Sequence, residues 1–130
     1  MDPYNTAIKL SLALAYGHWA LKRQADNRHH ILVQALSFLT EYYQEFQSDQ
    51  RPYYQKQEAE FNMGRMYHLL GLMDLAIPHY ELCLALGSEV NEGLLVENFA
   101  YEAAFALQSH WAAQGDIRRA KSITKDWLVL

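Results

Sequence analysis

Apolar residues along this chain recur at three- and four-residue spacing, the period of an α-helix with one buried face. From Tyr4 to about Arg23 the series Ile8, Leu12, Ala15 and Trp19 marks such a face, broadened by Leu10, Leu14 and Leu21. The break falls at Ala25-Asp26-Asn27, where Asp26 or Asn27 can accept from the free N–H groups that open the next helix. A second helix is predicted from about Arg28 to Gln47, with Ile31, Ala35, Phe38, Leu39, Tyr42 and Phe46 turned inward. The polar run QSDQRP ends it, and Arg51-Pro52 sets a non-helical residue before a proline suited to a helix start. A third helix spans roughly Tyr53 to Leu70 and stops at Gly71, and a fourth runs from Met73–Asp74 to about Gly87. The segment GSEVNEG reads as a loop before a fifth helix from about Leu94 to Gln114. Gly115-Asp116 punctuates again, and a last helix runs toward Leu130. The expectation is six helices, no strand, and one domain over residues 1–130.

These helices repeat. In the third and fourth, Gly64, Gly71, Ala76 and Cys83 stand at spacings of seven, five and seven. In the fifth and sixth, Gln108, Gly115, Ala120 and Trp127 stand at the same spacings. The first pair carries part of the pattern, with Ala13 and Tyr16 in one helix and Ala35, Leu39 and Tyr42 in the other. Such self-similarity marks stacked helical hairpins, each unable to bury its apolar face alone. Antiparallel helices approach closely only where a side chain at the crossing is nearly absent, so Gly64 and Ala76 are expected to face each other's backbones. Gly71 ends its helix because positive φ costs glycine nothing. The prediction is an all-α stack of about three antiparallel pairs, roughly 4–47, 53–87 and 94–130, a short α-solenoid.

The run from Gln57 to Leu86, with N-M-G-x-x-Y, then L-G, then A-I-x-x-Y, resembles a tetratricopeptide (TPR) repeat. Ala104–Leu130 resembles one too, with Gln108 where a small residue is usual. Standard units have about 34 residues, whereas Ala35 to Ala76 is 41 and Ala76 to Ala120 is 44. Pro78 is a further departure, placed in the first turns of its helix, where a missing donor costs little. The strings NRHHILVQALSFLTEYY, EAEFNMGRMYHLLGLMDLAIPHYELCLAL and YEAAFALQSHWAAQGDIRRAKSI are similar to the C-terminal end of the TPR subunits of RNA polymerase III transcription factor TFIIIC, in its τA half. Members of that family are several times longer, so the resemblance implies a C-terminal piece. It also implies a nuclear scaffold: τA recognises the A-box end of tRNA-type promoters and helps recruit TFIIIB. Other TFIIIC subunits are the implied partners, with TFIIIB subunits as further candidates, although the family's TFIIIB recruitment is tied to an N-terminal array absent here.

Composition narrows the classes. Of 130 residues 51% are hydrophobic, with five Phe, three Trp and nine Tyr, which predicts a folded core. Eleven basic against fifteen acidic residues give a net charge of -4, so phosphate gripping is disfavoured and direct DNA binding is not expected. One cysteine excludes an internal disulfide framework and fits a reducing compartment. No apolar run approaches the roughly 18 residues of a membrane span. The start MDPYNTAIKL lacks the layout of a signal peptide, which gives the expectation of a soluble intracellular chain.

Candidate chemistry is sparse. His79 and Cys83 stand at i,i+4, a spacing that can supply two metal ligands, but no second pair completes a site; no metal and no cofactor are expected. Cys83 is read as a small core hydrophobe. His29-His30 are adjacent near a helix start and are read as capping or exposed, and His18 and His110 as lying in or beside packing surfaces. The glycines are scattered singly, so no loop cradles phosphate. The paired carboxylates Glu58/Glu60 and Glu89/Glu92 are read as helix-dipole compensation and solubility. No enzyme is expected.

What stacked hairpins offer is a groove lined by the first helix of each pair. Its candidate residues are Glu58, Phe61, Arg65, His68 and Leu69, then Glu102, Phe105, Ser109, Ala112 and Ala113, with Leu10, Leu14 and His18 from the first pair. Aromatic and Arg anchors beside small neighbours suit a peptide or helix. The alternative is a nucleic-acid-contacting helical domain using Lys22, Arg23, Arg28 and the cluster Arg118, Arg119, Lys121 and Lys125. The apolar ends, Ile8/Leu12/Trp19 and Trp127-Leu128-Val129-Leu130, predict that the isolated chain self-associates.

Overall fold

The computed structural model describes residues 3–21, 28–47, 52–87 and 99–128. Among them it holds six α-helices and no strand: α1 (Pro3–Leu21), α2 (Arg28–Glu45), α3 (Tyr53–Leu69), α4 (Met73–Gly87), α5 (Ala100–Ala113) and α6 (Ile117–Ile123). A π-helical turn, Thr124–Leu128, continues α6. The helices pack as pairs, α1 with α2, α3 with α4 and α5 with α6, and the pairs stack through α1 and α2 on α3 and through α4 on α5. This is the all-α, TPR-like stack that the repeat predicts. The Asp26/Asn27 cap, Leu94, Glu89/Glu92 and the last two residues lie outside the described residues, and the expected fifth helix begins in the structure at Ala100, after a turn at Phe99. No described helix is long and apolar enough to cross a membrane.

The two best repeats share one turn. Gly71 (φ 77°) and Gly115 (φ 81°) both take the left-handed conformation that glycine adopts without strain. Gly71 N–H donates to the His68 carbonyl and Leu72 N–H to that of Tyr67, at 3.0 and 2.8 Å. Gly115 to Ala112 and Asp116 to Trp111 repeat the pattern at 3.1 and 2.9 Å, so both hairpins close with the same satisfied helix end. Asp116 then caps α6, its carboxylate accepting from Arg119 N–H at 3.1 Å. Pro78 is exposed within an uninterrupted α4.

Two apolar clusters form the core. One gathers Ala13, Leu39, Tyr42, Ala59, Met63 and Met66 from α1, α2 and α3. The other gathers Ala76, Tyr80, Cys83 and Leu84 of α4 with Ala100, Ala103, Ala104 and Leu107 of α5. Tyr67 packs against both. Ala120 is buried as the repeat requires, and Trp127 is half-buried against the second cluster.

Three details differ from the sequence reading. Gly64 faces the Tyr80 ring rather than the backbone at Ala76: a Cβ there would lie 2.7 and 2.8 Å from two ring carbons. The inward face of α1 is Ala13, Gly17 and Ala20, while Ile8 and Trp19 stay 55% and 50% exposed. That helix is apolar on most sides, so small residues, which admit close neighbours, choose its face rather than hydrophobic count. Finally, the last helix loosens into the π turn at Thr124 instead of continuing as α-helix.

Candidate functional site

A buried polar framework holds the exposed helix faces in place. The sequence pairs Glu60 with Glu58 as helix-dipole compensation and solubility, and the structure corrects this: Glu60 is buried between helices. Tyr43 of α2 donates its hydroxyl to Glu60 Oε1 at 2.5 Å, and His79 Nδ1 of α4 meets Oε2 at 2.7 Å. The His79 ring stacks on Tyr67 and meets Tyr43 edge-on. One carboxylate thus links three helices from two successive pairs, and its burial is tolerable because both oxygens are bonded. Beside it Asn62 Nδ2 donates to the Tyr42 hydroxyl at 2.9 Å. Gln57 joins α3 to the last pair: its amide donates to the Cys83 carbonyl at 3.3 Å and its Oε1 accepts from Phe99 N–H at 3.2 Å. Burial raises the phenols of Tyr42 and Tyr80 to about 12 and lifts that of Tyr43 further, the Glu60 carboxylate adding to burial. Sequence reasoning missed Glu60, yet a signal was present: it lies four residues before Gly64, on the same helix face.

His79 is engaged by Glu60 rather than by Cys83. Among the described residues no group of three His, Cys, Asp or Glu could hold a metal ion. Cys83 is fully buried, and burial raises its thiol to about 12, so at neutral pH it is protonated packing rather than a thiolate.

The proposed groove residues fall into two groups. Glu58, Arg65, His68, Glu102, Phe105, Ser109, Ala112 and Ala113 are exposed, as is His18. Phe61 and Leu69 are half-buried, as are Leu10 and Leu14. Phe61 stacks on Phe99 with centroids 5.0 Å apart and tilts against Tyr80, so it is held as packing. Arg65 lies with its guanidinium carbon 5.9 Å from the Phe61 ring, and His68 Nδ1 is 3.2 Å from the Tyr80 hydroxyl. Two large apolar side chains of α5 project from it: Phe105 is 59% exposed and Tyr101, which the sequence pattern does not single out, 57%. They stand at i,i+4 and therefore share a face.

Of the basic alternative, Lys22, Arg23 and the Arg28 side chain lie outside the described residues. Arg118, Arg119, Lys121 and Lys125 are exposed. Arg119 is engaged, its guanidinium carbon 4.4 Å from the Trp111 ring centre and its Nε 3.5 Å from Asp116 Oδ2.

The chain as a whole is similar to known proteins. No family model matches the chain. It is 35% identical over 139 positions to transcription factor tau subunit sfc4 of Schizosaccharomyces pombe, covering 99% of this chain and 14% of that protein. It is 27% identical to the transcription factor tau 131 kDa subunit of Saccharomyces cerevisiae, covering 97% of this chain and 12% of that subunit. Against human general transcription factor 3C polypeptide 3 the identity is 35%, over 82% of this chain and 12% of the relative. The chain is a homologue of these TFIIIC subunits. It spans about an eighth of the length of the relatives it matches. The relatives are general transcription factor subunits rather than enzymes.

Proposed function

We propose that residues 1–130 act as one TPR-like protein-interaction domain inside TFIIIC, a nuclear, non-catalytic scaffold supporting assembly of the RNA polymerase III initiation complex. Homology to tau subunits and to general transcription factor 3C polypeptide 3 supports the setting. The observation that carries the mode of action is the exposed set Arg65, Tyr101 and Phe105 on the first helices of two successive pairs. Two projecting aromatics and an arginine, held on helices by a satisfied polar framework, are the anchors that bury well against a partner helix or peptide. Glu58, His68, Glu102 and Ser109 form its polar rim, while Phe61 and Leu69 are its half-buried floor. The partner is another TFIIIC subunit, with TFIIIB subunits as the second set to assay. The net charge of -4 and the Trp111 and Asp116 contacts of Arg119 both weigh against the nucleic-acid alternative.

The experiment is pairwise binding of the chain to each purified TFIIIC and TFIIIB subunit. Phe105→Ala with Arg65→Glu should keep its helical circular dichroism and lose at least about tenfold in affinity, the equivalent of about 1.4 kcal/mol. Unchanged affinity would move the interface elsewhere. Binding to no subunit would remove the scaffold reading itself.

A further inference from the structure

The basic side chains of α6 take no part in the surface described above. Arg118, Arg119 and Lys121 precede Ser122 at positions −4, −3 and −1, and Lys125 follows at +3. All five side chains are exposed. Residues three and four apart share a helix face, so Ser122 stands one turn from Arg118 and Arg119. Ser122 and Arg119 also line a cleft of about 410 Å³ between α4, α5 and α6, whose apolar walls are Ile77, Leu84, Leu107 and Trp111 and whose acidic lining residue is Glu81.

We propose that Ser122 is a phosphorylation site for a basophilic protein kinase, with Arg118 and Arg119 serving first to attract the kinase and then to hold the phosphate. Two guanidinium groups just N-terminal to an exposed hydroxyl offer an acidic kinase site its charge-assisted contacts. A kinase also needs its acceptor segment loosened from the helix. Among the described residues α6 and the π turn fully bury Ala120 alone, so the segment opens locally by giving up the half-buried packing of Ile123, Trp127 and Leu128 against the second cluster. In the transfer, Ser122 Oγ bonds to the γ-phosphorus of a nucleoside triphosphate as the bond to the β,γ-bridging oxygen breaks. The nucleoside diphosphate leaves, and the hydroxyl proton passes to the kinase's base. The product carries a charge of about −1.5 to −2 and three acceptor oxygens, more than the single carboxylate of Asp116 that now holds Arg119. Arg119 is therefore drawn from Trp111, and the cleft, already lined by Glu81 and Arg119, gains a further negative charge.

The test incubates the folded chain, and separately a peptide of residues 116–128, with ATP and the catalytic subunit of cyclic-AMP-dependent protein kinase. Mass spectrometry then maps the phosphate. Both should be modified at Ser122, Ser122→Ala should take none there, and Arg119→Ala should slow incorporation by about tenfold or more. A modified peptide beside a bare folded chain would mean that the fold closes the site. A bare peptide would mean that the basic run is not read. Either result overturns the proposal, as does phosphate found only at other residues. Capture is read by ³¹P titration: the second phosphate ionisation should fall by about 0.5 unit or more below its ordinary value near 6, and return there in Arg118→Ala/Arg119→Ala phosphorylated by prolonged incubation at high kinase concentration. An ordinary value in the unsubstituted chain would refute the holding role.

Discussion

Replacing Glu60 by alanine tests the polar framework most directly. The side chain is buried and accepts from Tyr43 and His79 at 2.5 and 2.7 Å. Hydrogen bonds to a charged group contribute about 1.5–3 kcal/mol each, so two lost bonds remove about 3–6 kcal/mol. Deleting buried methylene adds about 0.8 kcal/mol per group. Against this, Tyr43 and His79 are half-buried and can turn toward water, and the carboxylate's own desolvation cost is relieved. The lower end of the range therefore applies: about 3–4 kcal/mol. Glu60→Gln keeps the shape and the acceptor for Tyr43, while its amide can donate to His79 in the tautomer with a bare Nδ1, so its cost should be about 1 kcal/mol. Urea unfolding followed by circular dichroism measures both, and a cycle with His79→Ala isolates the pair, with a coupling of about 1–3 kcal/mol. A cost below about 1 kcal/mol for Glu60→Ala, or equal costs for Ala and Gln, would show that the contact is incidental to the joint between pairs.

Three further outcomes follow from packing elsewhere in the stack. Gly64→Ala would normally gain about 1 kcal/mol of helix propensity, but its Cβ would lie 2.7 Å from a ring carbon of the buried Tyr80. Overpacking should win by about 1–3 kcal/mol, seen as a lower melting temperature. Cys83 and Tyr42 hold their protons to about 12 in the fold, above their ordinary 9.0 and 10.0, so the unfolded chain ionises first as pH rises. Stability should be full below pH 9 and fall steadily from pH 9 toward 12, with iodoacetamide labelling Cys83 only after unfolding. Ile8 and Trp19 leave an apolar stripe on α1, so light scattering should find self-association that Ile8→Glu with Trp19→Glu abolishes; a monomer at high concentration would refute it.

Much of the candidate surface was legible before the fold. Arg65, Glu102, Phe105 and Ser109 project because helical period alone puts them opposite the buried Ala59, Met63, Ala103 and Leu107. Phe61 is different: its period marks it as outward, but Phe99, 38 residues later, covers it, and no local pattern encodes that meeting. Tyr101 was missed for the converse reason, since a tyrosine fits either face until its neighbours are known.

What the sequence determined by itself is whatever acts within a helix or a turn. Apolar period fixed the helices, positive-φ glycines at 71 and 115 fixed two identical turns, and their common spacing fixed the pairing of helices into a stack. These are short-range effects, and each is written in consecutive residues. The tertiary structure alone decided which side of the apolar α1 is buried, that Gly64 makes room for a tyrosine ring, and that Glu60 is an internal link rather than a surface charge. Each of those depends on which atoms from distant helices arrive at one point. A buried carboxylate is stable only when such partners arrive, so its role belongs to the packing rather than to its own stretch of chain.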